Sequence, residues 1–356
     1  MSSAFVILIS FLSMILGIDE AEIVFAGDAM MHQGQIDAAR RSDGTYDFGE
    51  YFSEIQPYVE SADYAVVNLE TPVSKPPYSG YPCFNAPDSY LDALSDAGFD
   101  LFLTANNHTL DRRDNGLRNT IDALDARKLE HIGTYKDAAA RNATLPFVKN
   151  INGIKVGFVN YTYGTNGIEP GAEVKVDYID RKQIKEDVER TRDAGADIVI
   201  ACVHWGVEYQ LLPHKVQKSL AAYLHELGVE VIIGGHPHVV QPMEITDGDR
   251  PTLLVYSLGN FISNMKTRDT RGGAMVKVRL LRGGDGKVRV DEASYRLVYT
   301  EPADRNHNYR LQWVDRSDDP RAAAFARSAR NLFNSHNRNV HEELPGAGAW
   351  LHSKRK

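Results

Sequence analysis

The sequence has little cysteine and no excess of positive charge. Among its 356 residues the cysteines are Cys83 and Cys202 alone, too few for a disulfide framework or a cysteine-rich structural zinc site. The formal net charge of −8 argues against a nucleic-acid partner, because proteins that bind nucleic acid usually present a basic surface. Internal repeats and low-complexity linkers are also missing, which favours one main domain.

Long apolar runs are likewise scarce, and one stands out: residues 4–18, AFVILISFLSMILGI. As a helix this run would span about 22 Å, which is short against a bilayer core of about 30 Å. Its length suits the apolar part of an export signal, although no Lys or Arg precedes it. A cleaved signal, a retained membrane anchor and a buried helix all stay open for residues 1–21. The first two predict a location in the cell envelope.

Strand-like and helix-like segments alternate over residues 22–250, and this order predicts an α/β protein with a mainly parallel sheet. Strand-like runs then follow one another without helices between them, and Gly-Gly-Asp-Gly at 283–286 is typical of a hairpin. These runs predict a second, antiparallel sheet. Residues 315–336 have the pattern of a helix. We therefore expect a main domain over 22–300 and a helical extension with a polar tail over 301–356.

Polar side chains that can bind a metal follow the predicted strands. Ligands of open α/β sheets bind beyond the carboxyl ends of the strands, so these side chains are expected to meet there. Each one alone also has an ordinary structural explanation, such as a helix cap or a turn, but their succession favours a joint metal site. The candidates are Asp28, Glu70, Asn107, His108, His204, His236 and His238.

These candidates combine imidazole nitrogen with carboxylate and carboxamide oxygen. Imidazole suits Zn, Fe, Ni or Cu, and carboxylate also suits Mn and Mg. Glu70 is the candidate for a carboxylate that bridges two ions about 3.5–4 Å apart. In the stretch GGHPHVVQP, two glycines allow a tight turn, and Pro237 fixes the backbone between His236 and His238. We expect one or two divalent ions, with Mn, Fe or Zn as the candidates.

A further set of residues is predicted to contact the substrate. Tyr161 and Tyr163 belong to the stretch YTYGTNG, and Ser257 and Asn260 follow a strand. Arg112 follows the Asn-Asn-His stretch and is suited to pair with a carboxylate or a phosphate. The structural alternatives are a plain turn for the tyrosine stretch and a solvated helix start for Arg112. Ser257 has no neighbouring base in the sequence, which argues against a serine hydrolase.

Six motifs occur in a fixed order: GDAMMHQGQ, NLETP, ANNHTLDR, VHWGVEYQ, GGHPHVVQP and YSLGNFI. Together they resemble the capsule-synthesis (CapA/PgsA-type) poly-γ-glutamate synthesis protein family, whose fold is similar to that of the calcineurin-like metallophosphoesterases. The resemblance covers residues 22–282. It implies a four-layer α/β/β/α sandwich of the metallo-dependent phosphatase type, with two metals at one end.

The resemblance also implies a role for each candidate ligand. It implies that His108 protonates a leaving group or steadies a phosphoryl oxygen, and that Glu70 bridges the two metals. The remaining ligands would divide between a first metal, held by Asp28 and His238, and a second metal, held by Asn107, His204 and His236.

Two departures from the phosphoesterase pattern concern the first metal. Those enzymes have Asp-x-His on the first strand, whereas this chain has Asp28-Ala29-Met30, and methionine is a poor ligand for an oxygen-loving ion. His32 is the candidate substitute. Glu70 stands where the phosphoesterases have an aspartate and is one methylene longer. We therefore expect either one ion or two ions with altered affinity.

Two functions from different classes follow. In the first, favoured by the intact Asn-Asn-His and His-Pro-His motifs, the protein is a metal-dependent hydrolase that acts on an anionic envelope polymer or a phosphoester during capsule or poly-γ-glutamate biosynthesis. In the second, favoured by Met30, it is a non-catalytic scaffold or export component of a membrane complex that synthesises the polymer. The sequence favours the first.

Overall fold

Two large sheets carry most of the chain in the computed structural model, which describes residues 19–248 and 250–343. The apolar run 4–18 lies outside these ranges, and within them no helix has both the length and the apolar character needed to cross a bilayer. The strands are β1 (Glu20–Ala29), β2 (Tyr64–Leu69), β3 (Leu101–Leu103), β4 (Glu130–Ile132), β5 (Thr134–Tyr135), β6 (Phe147–Ile151), β7 (Ile154–Thr162), β8 (Lys175–Val176), β9 (Ile198–His204), β10 (Val231–Gly235), β11 (Met243–Ile245), β12 (Leu253–Val255), β13 (Asn260–Ile262), β14 (Gly272–Arg282), β15 (Val288–Glu301), β16 (Arg310–Trp313) and β17 (His341–Glu342). The α-helices are α1 (Gln33–Ala39), α2 (Gln56–Val59), α3 (Ser89–Asp96), α4 (Arg113–Ala126), α5 (Ala138–Thr144), α6 (Arg181–Asp193), α7 (Lys215–Glu226) and α8 (Pro320–His336).

The first sheet has the strand order β16-β15-β14-β1-β2-β3-β4, with β13 beside the end of β1 and β17 beside β15. Strands β1 to β4 are parallel, and β2 is buried along its whole length, which explains its continuous apolar sequence. The separate antiparallel sheet predicted after residue 250 is wrong. β14 instead pairs with β1 from Glu20↔Leu281 to Phe25↔Val276, because the backbone groups of β1 on that side need a partner strand.

The second sheet has the strand order β11-β12-β10-β9-β7-β6. Its four central strands are parallel, and β6 and β11 close its edges in antiparallel pairs. The central strands are rich in Val and Ile, which is typical of strands that are covered on both faces. A two-stranded sheet of β5 and β8 lies apart from the two large ones.

The two large sheets face one another, and helices cover the outer face of each. Phe25 and Val66 of the first sheet and Phe158 and Ile200 of the second belong to one apolar core between the sheets. Buried side chains of α1, α2 and α3 pack with the outer face of the first sheet, and those of α6 and α7 pack with the outer face of the second. The predicted four-layer α/β/β/α sandwich is therefore confirmed.

The chain beyond residue 300 adds a strand and a helix to the same core. β16 pairs with β15, and α8 buries Phe325 and Phe333 in the core that also lies between the sheets. α8 begins after Asp319, whose side chain accepts a hydrogen bond from the Arg321 N–H at 2.8 Å. Pro320 occupies the first turn, where a missing N–H costs nothing.

Candidate metal centre

The carboxyl ends of strands from both sheets meet at one end of the sandwich and carry the predicted ligands. Asp28 lies near the end of β1, Glu70 directly follows β2, His204 ends β9 and His236 directly follows β10. All are buried: Asp28 and Glu70 are 0% exposed, and His204, His236 and His238 are at most 3% exposed. This location is the one that the strand-end rule for α/β proteins predicts.

Asp28 faces the other ligands because β1 changes register next to Gly27. Before this point Phe25 faces the core between the sheets and Ala26 faces the outer helices, so plain alternation would turn Asp28 outward. The pairing with β2 shifts between Ala26 and Asp28, and such a bulge redirects the next side chain. A Cβ atom on Gly27 would lie 2.0 Å from the Gly259 carbonyl oxygen, so this close approach requires glycine.

Two sets of ligand atoms lie close enough to hold a metal ion. One set comes from Glu70, His236 and His238, the other from Asp28, Glu70 and His204, and within each set all ligand atoms lie within 4.8 Å of one another. Glu70 belongs to both sets, as expected of a bridging carboxylate. The resemblance implied a different division, in which Asp28 and His238 share a metal; His238 Nδ1 lies 3.3 Å from Asp28 Oδ2, and this division stays a prediction.

Asn107 reaches the same cluster from the turn after β3. Its Oδ1 lies 2.8 Å from His204 Nε2, and its Nδ2 donates to Asn166 Oδ1 at 3.2 Å. The second contact fixes the orientation of the amide, because it leaves the carbonyl oxygen directed at the cluster. Asn107 thus lies where an amide oxygen would complete a set that contains His204.

Glu70 provides the test of whether these donors suit a cation. Both of its carboxylate oxygens are buried without a hydrogen-bond partner among the described residues, and so is His236 Nδ1. Burial, together with the nearby Asp28, raises the pKa of Glu70 well above its ordinary value. Burial lowers the pKa of His236 to about 3, which keeps this imidazole neutral and able to bind a metal. Glu70 Oε1 lies 3.6 Å from His204 Nε2 and 3.8 Å from His238 Nε2, which is beyond hydrogen-bond distance. A buried carboxylate without a hydrogen bond is costly, and a divalent cation among these donors would remove that cost. The residues therefore fit a divalent ion.

Polar neighbours hold the ligands in place. Asn68 donates through Nδ2 to Asp28 Oδ1 at 2.8 Å, and the same Nδ2 lies 3.3 Å from His204 Nδ1. Asn260 was predicted to contact substrate, but it is fully buried and its Oδ1 lies 3.0 Å from His238 Nδ1. It orients a ligand instead, and contacts of this kind fix the tautomer of a ligating histidine. Burial alone would raise the pKa of Asp28, but hydrogen bonds from His238 and Asn68 hold it below its ordinary range.

His108 lies next to the cluster and is paired with a carboxylate. Its Nδ1 is 2.8 Å from Asp111 Oδ2, and its ring packs edge-on against Phe84 with the ring centroids 4.6 Å apart. Asp111 Oδ2 also accepts the Phe84 N–H at 2.8 Å, so the carboxylate is itself held in position. Since the pair engages Nδ1, proton exchange at this histidine falls to Nε2. The acid role of His108 stays a prediction.

The two tyrosines that were predicted to contact substrate have different surroundings. The Tyr163 ring lies over the cluster, 4.5 Å from the His236 ring between centroids, and this side chain is 47% exposed. The assignment of Tyr161 is wrong, because its side chain is 1% exposed and its hydroxyl donates to Asp187 Oδ2 at 3.0 Å. Like Val159, it points from β7 toward the outer helices, as alternation along a strand requires.

The other two predicted substrate residues are Ser257 and Arg112. The assignment of Ser257 is wrong, because this residue is fully buried and its Oγ accepts the Gly259 N–H at 3.1 Å, which shapes the turn before β13. Arg112 stands directly before α4 and is partly exposed. Its contact with a substrate stays a prediction.

The first strand keeps the departure seen in the sequence. Met30 is buried with 2% exposure, and His32 belongs to neither of the two ligand sets. His32 stands at the N-cap of α1, and its Nδ1 accepts the Asn264 N–H at 3.2 Å. His32 therefore stands at a helix N-cap. It does not replace the histidine of the phosphoesterase Asp-x-His pattern, where this chain has Met30.

Three polar residues next to the cluster were missed from the sequence: Asn68, Asp111 and Asn166. Asn68 and Asp111 lie within motifs that were singled out, two residues before Glu70 and three residues after His108. Their spacing was the available signal. Asn166 comes from the loop after β7 and has a left-handed backbone with φ of 51°. Such a conformation is uncommon outside glycine and marks positions worth inspection.

Comparisons with known proteins agree with the family resemblance. Residues 22–265 match the family described as bacterial capsule synthesis protein PGA_cap. The chain is 27% identical over 319 residues to the capsule biosynthesis protein CapA of Bacillus anthracis, an alignment that covers 84% of this chain and 74% of that relative. It is also 27% identical over 278 residues to the PGA biosynthesis protein CapA of Bacillus subtilis (strain 168), which covers 75% of this chain and 69% of the relative.

A solved structure supports the fold. The NAD nucleotidase NadN of Haemophilus influenzae superposes with a TM-score of 0.50 over 92% of this chain and 64% of the nucleotidase, at 12% sequence identity. At this identity the likeness concerns the fold alone, which is that of the metallo-dependent phosphatases. Because the family match spans well over half of the sequence, the chain belongs to the bacterial capsule synthesis protein family PGA_cap.

Proposed function

We propose that this protein acts in capsule or poly-γ-glutamate biosynthesis as a metal-dependent hydrolase, and that its substrate is an anionic envelope polymer or a phosphoester. The names of the two Bacillus relatives support the biosynthetic role. The buried cluster of acidic, imidazole and amide side chains supports the hydrolytic one, because such clusters at strand ends are typical of ligand-binding sites in this class of fold.

The observation that carries the proposal is the state of Glu70. A carboxylate with 0% exposure and no hydrogen-bond partner among the described residues is costly to keep in a fold that needs it only for packing. Its place in both ligand sets gives it a purpose as a shared ligand. The donors are nitrogen and oxygen, which favours Mn, Fe or Zn, as one ion or two.

A divalent ion, when bound, supplies Lewis acidity and lowers the pKa of water. The chain's own residues supply the rest. Asp28 and Glu70 give negative charge that holds the cation, and Asn68 and Asn260 orient the ligands around it. We assign to the His108–Asp111 pair the role of holding a proton at His108 Nε2 and giving it to a leaving group.

A second function is favoured by one observation, the buried Met30. With a methionine in place of a ligand, the protein could retain the fold and one ion without catalysis and act as a scaffold or export component. In both cases we propose a location at the cell envelope and a polymer-synthesising membrane complex as the partner.

Turnover by the full chain separates the two functions. Protein stripped of metal and reloaded with Mn, Fe or Zn would be assayed on a phosphodiester, bis-p-nitrophenyl phosphate, and on γ-linked glutamate polymer. We expect turnover only after reloading, and a fall of about 10²–10⁴-fold in His108→Ala with its metal content unchanged. His225→Ala is the matched control. His225 lies on α7, away from the ligands, and its Nδ1 contacts Thr252 Oγ1, just before β12, at 2.9 Å. Metal bound without turnover of either substrate would favour the scaffold.

A further inference from the structure

Exposed large apolar side chains occur in segments that follow β2, β7 and β9, three strands whose carboxyl ends lie at the end of the sandwich that holds the candidate metal centre. Single exposed apolar residues are normal, but a group of them marks a binding surface. Within residues 19–248 and 250–343, the large apolar side chains with the highest exposure all come from three segments, the loop after β2, the loop after β7 and the stretch from β9 into α7. They are Tyr81, Tyr163, Val207, Tyr209, Leu212 and Val216, with exposures of 73%, 47%, 38%, 54%, 51% and 52%.

Two tyrosines in this group pack against histidines of the site, and a third approaches His108 through Phe84. The Tyr163 ring lies 4.5 Å from the His236 ring, and the Tyr209 ring lies 6.3 Å from the His238 ring. Tyr81 packs 6.2 Å from Phe84, whose ring contacts His108. We call Tyr81, Tyr163 and Tyr209 the tyrosine rim. Its members approach the cluster from different loops, so the rim borders the entrance on more than one side.

The backbone holds Tyr209 in an unfavourable conformation although its side chain is exposed. Its φ is 66°, a region in which bulky residues are outliers, and its N–H donates to the Pro237 carbonyl at 2.9 Å. Strain of this kind persists where surrounding structure enforces it and is concentrated at functional sites. The hydrogen bond ties Tyr209 to the residue between His236 and His238.

Each side chain of the rim offers an aromatic face and a hydroxyl that can donate a hydrogen bond. The segments that carry the rim, residues 78–84, 163–168 and 205–212, contain no Lys and no Arg, so they hold a ligand through ring faces and hydroxyls and not through ion pairs. Amide planes and methylene groups can lie on tyrosine faces while their carbonyls accept from the hydroxyls.

We infer that Tyr81, Tyr163 and Tyr209 determine specificity by holding the units of an amide-linked chain on either side of the group that enters the metal centre. This inference rests on the proposed function, because it concerns the same site. The ligand residues are at most 3% exposed, so one group of the substrate reaches them and the neighbouring units lie on the rim. A small phosphoester would leave the rim uncovered.

Binding to the metal-loaded full chain tests the rim without requiring turnover. The probes are short and long γ-linked glutamate oligomers and a single-stranded oligonucleotide of matched length, each titrated by calorimetry. We expect the long oligomer to bind the parent protein more tightly than the short one does. We expect Tyr81→Ala or Tyr209→Ala to bind the long oligomer about tenfold more weakly than the parent protein, as for the loss of one aromatic contact. Tyr209→Phe keeps the ring and should restore most of the affinity.

Two controls separate a binding role from a structural one. Tyr223→Ala alters a tyrosine on α7 whose hydroxyl donates to the Arg181 carbonyl at 2.8 Å, and it should bind both oligomers like the parent protein. Metal content would be measured for Tyr163→Ala, because this ring packs on a ligand.

Each outcome decides the inference. Equal affinity for short and long oligomers, or unchanged affinity in the rim variants, would overturn it. Oligonucleotide binding that falls in the same variants would overturn the preference for amide linkages. Length-dependent binding without any turnover would support the rim and contradict the hydrolase proposal, so the two failures are distinguishable.

Discussion

Glu70→Gln is expected to change the stability of this protein in opposite directions without and with metal. In metal-free protein the carboxylate is fully buried without a hydrogen-bond partner among the described residues. Burial is the main cause that raises the Glu70 pKa, and the charge of the nearby Asp28 raises it further. Glutamine keeps the shape and removes the charge. In metal-loaded protein we propose that the same carboxylate is the ligand common to both candidate sets, and a neutral amide binds a cation more weakly.

The two effects have comparable size, so the stabilities should cross. Leaving a buried polar group unpaired costs about 1–3 kcal/mol, and the glutamine side chain recovers only part of this because its own amide needs partners. We therefore expect the metal-free variant to gain about 1–2 kcal/mol in the free energy of unfolding. With metal at 100 times its dissociation constant, the parent protein gains about 2.7 kcal/mol for each ion, and the variant loses most of that gain.

Urea unfolding in chelator and in excess metal measures both effects. Glu230→Gln is the matched control, because Glu230 is 6% exposed but accepts from Arg192 Nη2 at 2.5 Å and from the Val199 N–H at 2.9 Å. The control should lose about 1–3 kcal/mol in both conditions. If Glu70→Gln is destabilised in chelator as the control is, Glu70 is a packing residue and the reasoning fails.

Three further substitutions separate the parts of the site. Asp111→Asn should weaken the orientation of His108 and slow turnover about tenfold or more with unchanged metal content, and unaltered rates would contradict the pairing. Asn166→Ala frees the Asn107 amide and should weaken metal affinity about 10–100-fold, measured by competition with a chelator; parent-like affinity would refute this. Tyr161→Phe should lower the free energy of unfolding by about 1 kcal/mol and leave metal binding intact, and a loss of metal would restore Tyr161 to the site.

The central sheets were predictable from the sequence because parallel strands that are covered on both faces read as continuous apolar runs. The position of β14 in the sheet was not predictable. Its alternating sequence indicates a half-buried strand but does not indicate which strand it pairs with. Its pairing with β1 depends on which edge the folded sheet leaves open. The chain beyond residue 300 illustrates the same limit, because β16 pairs with β15 only through contacts that no local pattern encodes.

The clustering of the candidate ligands was predictable because they lie at or after the ends of strands, and strand ends meet in this class of fold. The errors arose where the side-chain direction decided the outcome. Tyr161 and Val159 share one face of β7, whereas Asn160 faces inward and accepts the Ala105 N–H at 2.9 Å. Strict alternation from Phe158 would have placed Tyr161 outside.

Asp28 is the converse case. Alternation alone would have turned it outward, and the register shift beside Gly27 reverses its direction. A bulge of this kind depends on the partner strands and is hard to locate from one sequence.

The most direct test of the account is the metal content of the full chain, measured by elemental analysis after incubation with Mn, Fe or Zn. We predict about two ions for each parent chain, a loss in His236→Ala and in Asn107→Ala, and parent-like content in His225→Ala. One ion would place the defect at Met30, which is buried at the end of β1. No bound metal in the parent protein under any of these conditions would contradict the claim that the buried cluster around Glu70 is a metal centre.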